Sequence, residues 1–347
     1  IQRGDAADPF VVPRGEMVTV KLRLPEKAFG VGRSTAVQRF RWTGEVTNVV
    51  FDVRVLDVES ETCRFRVLPQ EARRLNPKDI EVKKELGRGA HGVVYLARVR
   101  STGEEVVVKQ PVVDPSEGTD NVVRQFKHEA AAQAMLGHHP NVVKVVGFGI
   151  DDELSEPPML VLEHLSGGSL ESALKRGEGR LSEVRVARDV AAGLSNAHSS
   201  GILHCDVAAR NVLLDDNLTA KVTDFGLARR LGVGSGSVEG GLYGPFPWMA
   251  PESLLPPFLF SRQGDTYMYG VLLHEVVTGG AHPWPGRSRE YVTNVLCKER
   301  RAVDPPTGKW DPRLDAIMRS CLSLEAETRP ELSSVVMELE GVLGESL

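Results

Sequence analysis

Cysteine is scarce in this chain. Cys63, Cys205, Cys297 and Cys321 are the only four in 347 residues, and no two form a CxxC pair. That usage excludes a disulfide scaffold and a structural zinc site, and it fits a reducing, cytosolic setting. Long apolar runs are missing too: segments such as Met159-Leu160-Val161-Leu162 fall far short of the roughly 20 residues that span a bilayer, so direct membrane insertion is not indicated. Nor is there a basic excess, with 42 Lys plus Arg against 47 Asp plus Glu and a net charge of −5. Nucleic-acid binders usually carry a basic face, so no nucleic-acid partner is indicated. The chain opens at Ile1 with no signal-peptide pattern. It reads as a fragment or processed product that is cytoplasmic, or held at the cytoplasmic side of a membrane by an upstream anchor outside this sequence.

What is present is ordinary globular material, 41% apolar and 26% charged, enough for two or three domains with real cores. Residues 1–76 form a small β-rich accessory module in this reading. Its strand-like runs are Met17 to Leu24, Val46 to Val58 and Thr62 to Leu68, parted by Pro25, Gly30, Gly32, Gly44 and Pro69. Asn76-Pro77 marks the boundary, because the residue before proline is pushed to extended geometry. From there the pattern predicts strands and a glycine-rich turn over 80–109 and a helix over 121–136. Strands follow near 142–148 and 159–163, and helices dominate after Leu181. Val186, Val190 and Leu194 recur every four residues with Ala187, Ala191 and Ala197 beside them, the stripe of an amphipathic helix. The fold class is α+β, a β-rich lobe followed by a helical lobe, and clefts between lobes are where ligands bind.

The chemistry gathers in this second part. Gly87-Arg88-Gly89-Ala90-His91-Gly92-Val93-Val94 has GxGxxGxV spacing. A dinucleotide-binding turn would open a helix, whereas Val93 to Val99 continues as a strand, so this turn suits phosphates lying beneath a β-hairpin. Val106-Val107-Val108-Lys109 follows as a strand that ends in a cation, and Glu129 in the next helix offers a carboxylate to orient it. Further on come His204-Cys205-Asp206-Val207-Ala208-Ala209-Arg210-Asn211, Asp224-Phe225-Gly226 and Ala250-Pro251-Glu252.

In this order the motifs resemble the signature series of the eukaryotic protein kinases: glycine-rich loop, strand lysine, catalytic loop with its Asn, DFG and APE. The resemblance covers about residues 80–345 and implies a bilobal catalytic domain over 77–347, with ATP and Mg2+ as cofactors and protein substrates as partners. It implies that Asp206 accepts the hydroxyl proton and that Lys109, oriented by Glu129, holds phosphates, while Asn211 and Asp224 ligate metal and Arg210 serves the phosphate region. It places Leu86, Gly87, Gly89, Gly92, Val94, Val107, Leu162, Glu163, Leu165 and Leu213 around the nucleotide. Leu162 stands at the gatekeeper position, and the backbone of Glu163 to Leu165 meets the adenine. Asp265 would brace the catalytic loop, and Glu252 would pair with Arg329.

Serine/threonine kinases usually carry lysine two residues after the catalytic aspartate. Here Ala208 fills that position and the cation is Arg210, as in tyrosine kinases, and Pro245 to Glu252 is similar to their apolar shelf for a phenol ring. The resemblance therefore implies transfer of the γ-phosphate to tyrosine, with serine/threonine or dual specificity, or an ATP-binding pseudokinase scaffold, as the alternatives. Three departures bear on this. Cys205 replaces an arginine that often binds an activation-segment phosphate. Val107 replaces an alanine over the adenine, and Pro247 replaces a lysine or arginine of the shelf. Between Asp224 and Glu252 the one tyrosine is Tyr243, so activation independent of loop phosphotyrosine is expected. The charge is also uneven: residues 1–76 hold 13 basic and 10 acidic residues, net +3, leaving 29 and 37, net −8, for the rest. That difference allows contact of the module with the kinase lobe in cis.

Overall fold

A computed structural model describes residues 19–20, 37–43, 48–54, 63–64, 73–89, 92–112, 126, 129–149, 158–177, 181–232, 235–241, 244–303 and 310–344. Two compact units divide the chain, Ile1–Glu71 and Ala72–Leu347. In the first, Val37–Thr43 pairs antiparallel with Asn48–Arg54, and Thr19–Val20 with Cys63–Arg64. The first of these strands is additional to those expected from the sequence. The division falls at 71/72, not at Asn76-Pro77, because Arg73–Arg74 already pairs with a strand of the second unit.

The second unit opens with a twisted sheet made of β1 (Ile80–Gly89), β2 (Gly92–Val99), β3 (Glu105–Gln110), β4 (Val145–Gly149) and β5 (Met159–Glu163). Their order is Arg73–Arg74, β4, β5, β3, β2, β1, antiparallel except for the parallel pairing of Arg73–Arg74 with β4. Strand alternation sorts the side chains. Val106 and Val108 of β3 and Met159 and Val161 of β5 join Ile80, Ala97 and Val99 in one apolar cluster. Val107 of β3 and Leu160 and Leu162 of β5 join a second cluster with Phe126, Val143, Leu165 and Leu213. Lys109 shares the parity of Val107, and the residues of helix α1 (129–135) include its partner.

The remainder of the second unit is mainly helical. In α2 (Glu183–Ser199), capped by Ser182, whose hydroxyl accepts from the Arg185 N–H, the expected stripe Val186, Ala187, Val190, Ala191, Leu194 and Ala197 is buried. Helix α3 (Arg262–Val277) is buried along 13 of its 16 residues, Gly264 to Val276. A helix buried on all sides belongs in the middle of a core, and α3 runs through the largest apolar cluster among the described residues. It carries Asp265 in its first turn and Glu275 near its end. Two short strands, Val212–Leu214 and Ala220–Val222, pair just after the catalytic loop and lead into Asp224. Glu252 and Arg329 meet as expected: Arg329 Nη1 donates to Glu252 Oε1 at 2.6 Å and Nη2 to Oε2 at 2.9 Å. Arg329 also donates to the carbonyls of Gln263 and Ser323 and lies under the Tyr267 ring. Breaking such a buried pair from one side costs about 3–5 kcal/mol, because the other charge is left without its partner.

Candidate active site

The sheet and the helical part meet at a triad of charges. Lys109 Nζ donates to Glu129 Oε1 at 2.6 Å and to Asp224 Oδ1 at 2.9 Å. Lys109 and Glu129 are both buried. Burial opposes the charge on Lys109, but Asp224 and then Glu129 outweigh it and raise its pKa above the usual lysine range. The ammonium is therefore fixed at a defined point and stays protonated. Asp224 occupies the left-handed region, φ 60°, and Gly226 N–H donates to its Oδ1. Phe225 next to it is fully buried and lies 4.7 Å from the His204 ring, ring centre to ring centre. His204 Nε2 in turn contacts the Thr223 carbonyl at 2.9 Å. These contacts join the segment of Asp224 to the loop of Asp206.

That loop is held by the two carboxylates of α3. Asp265 Oδ2 accepts the His204 N–H at 2.7 Å and Oδ1 accepts the Cys205 N–H at 2.9 Å, while Glu275 Oε2 accepts the Ala209 N–H at 3.0 Å. Cys205 adopts φ 62°, an uncommon conformation for a residue with a Cβ, and such strain persists only where the surroundings fix it. Within the loop, Asn211 Nδ2 donates to the Asp206 carbonyl and to its Oδ2, each at 2.8 Å, and Arg210 pairs with Oδ1. Both oxygens of Asp206 are thus oriented. The Asn211 amide spends its nitrogen on Asp206.

Cys205 is buried, and burial followed by the nearby Asp265 pushes its thiol well above the usual range. It is neutral packing, not a nucleophile. Arg229 stands close enough to the thiol to oppose part of that rise, and its guanidinium lies 4.0 Å from the centre of the Phe260 ring. A cation is thus present beside position 205 although position 205 itself carries none. Ser237–Glu239, further along the same segment, pairs with Leu259–Ser261, and Tyr243 lies outside the described residues.

The glycines of the turn differ in what they do. A Cβ on Gly87 or Gly89 would meet nothing within 4 Å, whereas one on Gly92, at φ +131°, would stand 2.3 Å from the Gln110 carbonyl oxygen. Gly92 is therefore required by the hairpin itself, and Gly87 and Gly89 keep a space open, a cradle that side chains would fill. Leu86 is 49% exposed. Val94 is half-buried and sits opposite Lys109 in the β2/β3 register. Val107, Leu162, Leu165 and Leu213 share one apolar cluster, a surface suited to a flat heteroaromatic ring. The Glu163 carboxylate is engaged by Lys221 Nζ, at 2.9 and 3.0 Å, and by the Lys144 N–H, a brace not foreseen from the sequence.

On the other side of Asp206 lies the apolar shelf. The Arg210 guanidinium stacks 4.7 Å from the centre of the Trp248 ring, and Trp248 Nε1 donates to Glu275 Oε2 at 2.9 Å. Phe246 and Trp248 are half-buried, and Pro247 between them is buried. Burial raises the Glu275 pKa despite the bonds from Ala209 and Trp248.

All six residues expected to carry the chemistry, Lys109, Glu129, Asp206, Arg210, Asn211 and Asp224, thus lie in two linked clusters. Sequence reasoning missed His198, whose Nε2 lies 2.9 Å from Asp265 Oδ2, and also Glu275, Arg229 and Lys221. A carboxylate in the largely apolar run 271–277, as at Glu275, is the signal the sequence offers among these.

Comparison with known proteins agrees with this geometry. The family model described as protein tyrosine and serine/threonine kinase matches residues 80–339. Tyrosine-protein kinase Abl of Drosophila melanogaster is 34% identical over 274 residues, 77% of this chain and 16% of its own length. Ephrin type-B receptor 1 of Gallus gallus is 29% identical over 79% of this chain and 28% of its own. Tyrosine-protein kinase SRK3 of Spongilla lacustris is 32% identical over 75% of each chain. The chain spans less than a third of the length of the first two. With a catalytic loop, a DFG segment and a glycine hairpin arranged as above, the chain belongs to the protein tyrosine and serine/threonine kinase family.

Proposed function

We propose that this chain transfers the γ-phosphate of ATP to tyrosine hydroxyls of protein substrates, with Mg2+ as the divalent ion. The observation that carries the acceptor is the stack of Arg210 on Trp248 beside Asp206. The stack offers a cation and an aromatic surface to a phenol beside Asp206, and Ala208 brings no charge there. The tyrosine-kinase names of the relatives support the same reading.

In this reading the adenine lies between Leu86, Val94 and Val107 on one side and Leu213 on the other, with Leu162 behind it and the backbone of Glu163 to Leu165 at its edge. Gly87, Gly89 and Gly92 cover the phosphates, and Lys109, fixed by Glu129, neutralises them. Asp206 takes the phenolic proton as the oxygen bonds to the γ-phosphorus, the bond from that phosphorus to the bridging β-phosphate oxygen breaks, ADP leaves, and Arg210 stabilises charge at the transferred group. Asn211 and Asp224 would hold the ion. Only one of the two is a carboxylate, and the described residues include no group of three or more His, Cys, Asp or Glu placed to hold a metal. That donor set fits Mg2+, which keeps waters and takes its other ligands from substrate phosphates. When bound, the ion would supply charge neutralisation to the phosphates.

Phosphoamino-acid analysis of a randomised peptide mixture phosphorylated by the chain tests the acceptor. Phosphotyrosine is the expected product. Phosphoserine or phosphothreonine as the dominant product would overturn the assignment.

A further inference from the structure

The turn after α3 brings a third group to Trp248. Its sequence is Ala281-His282-Pro283-Trp284-Pro285. The prolines limit the backbone on either side of Trp284, and Trp284 is buried in the same apolar cluster as α3. His282 stands exposed beside this anchor. Its Nδ1 accepts from the Trp284 N–H at 3.0 Å, and its ring meets Trp248 edge-on, 5.1 Å between ring centres at 76°. A backbone N–H can only donate, so Nδ1 is an acceptor and the ring is the neutral form with its proton on Nε2.

Trp248 links this histidine to the catalytic loop. Arg210 stacks on the same indole and pairs with Asp206, and the indole Nε1 is taken by Glu275. A second proton on His282 would have to enter at Nδ1, where the Trp284 N–H already stands. It therefore breaks that bond and sets a second cation against the ring that holds Arg210. Among the described residues Arg210 is the charged side chain that acts on His282, and burial together with Arg210 lowers the imidazole pKa below the usual histidine value. Glu275, on the other element packed against Trp248, already accepts from Ala209 and Trp248. We infer that neutral His282 is a positioning residue, holding Trp248 and through it Arg210 in place for the acceptor phenol, and that a proton on His282 loosens them. The inference rests on the kinase reading above and adds to it a residue, and a dependence on pH, that the motifs do not carry.

The test uses the full chain and a peptide with one tyrosine. The readout is kcat/KM for the peptide from about pH 8 to about pH 5, taken as the ratio of wild type to His282→Phe, which keeps an aromatic edge and takes no proton. Titration of the phosphates, of the peptide and of Asp206 cancels in that ratio. The ratio is expected to fall by about threefold or more as pH drops below about 6.5, the ordinary value for histidine. His282→Ala, which removes the edge contact, is expected to lower peptide kcat/KM at about pH 8 by about two- to tenfold. KM for ATP in the same assays is expected to stay at the wild-type value and reports that each variant is folded. A ratio that does not change with pH, or a His282→Ala variant with wild-type peptide kcat/KM, overturns the inference alone. No phosphorylation of the peptide by the wild type at any pH overturns the parent reading together with this one.

Discussion

Asp265 is a carboxylate inside the protein that nevertheless stays charged. Burial opposes ionisation, but the His198 ring and the amides of His204 and Cys205 prevail and hold its pKa below the usual carboxylate range. The sign of its contribution follows. A group whose pKa is depressed on folding adds stability that is complete above its unfolded value, about 3.9, and is lost as pH falls through the lower folded value. Asp265→Asn is therefore expected to lose about 2 kcal/mol or more at pH 7, and to show a shallower loss of stability below pH 4 than the wild type. Urea titrations of both proteins at the two pH values check this, and superimposable curves would contradict it. Activity should fall as well, since the two amides that Asp265 accepts fix the turn immediately before Asp206.

At the scale of elements, the β1–β2 hairpin separates two uses of glycine. Gly92→Ala should lower stability, because its Cβ would run into the Gln110 carbonyl from a backbone conformation that side chains avoid. Gly89→Ala should leave the melting temperature near that of the wild type and raise KM for ATP, because the space it fills is open. Thermal melts and ATP saturation curves of the two variants give the comparison; equal behaviour of the two would refute the division. Much of this architecture was legible in the sequence. The four-residue recurrence of Val186, Val190 and Leu194 marks α2, and the residues at Lys109, Glu129, Asp206, Asn211 and Asp224 are readable because their chemistry restricts each position to a single residue type. The rest depends on partners far apart in the chain. His198 lies at a helix end where a polar residue needs no explanation, and only the fold brings it to Asp265, 67 residues away. The strand Val37–Thr43 was readable and overlooked, since Phe40 and Trp42 alternate with Arg39 and Arg41.

At the scale of the whole molecule, the described parts of the activation segment are held by contacts that need no phosphate. Arg229–Arg230 pairs with Ile202–Leu203, Ser237–Glu239 pairs with Leu259–Ser261, and Arg229 packs on Phe260 beside the neutral Cys205. These contacts support the expectation that activation is independent of loop phosphotyrosine. Residues 77–347 carry an acidic excess, 37 against 29, so the buried Lys109 stands out against its surroundings. Among the described residues no helix is long and apolar enough to cross a membrane. The central claim is that Lys109 and Asp206 carry phosphoryl transfer in this state. Its most direct test is to incubate the phosphatase-treated chain with γ-labelled ATP, Mg2+ and a tyrosine peptide, beside Lys109→Met and Asp206→Asn. Label is expected on the peptide with the wild type and should fall by about 10²–10⁴-fold with Asp206→Asn, and comparably with Lys109→Met. Equal incorporation by all three proteins, or none by the phosphatase-treated wild type, would contradict the account.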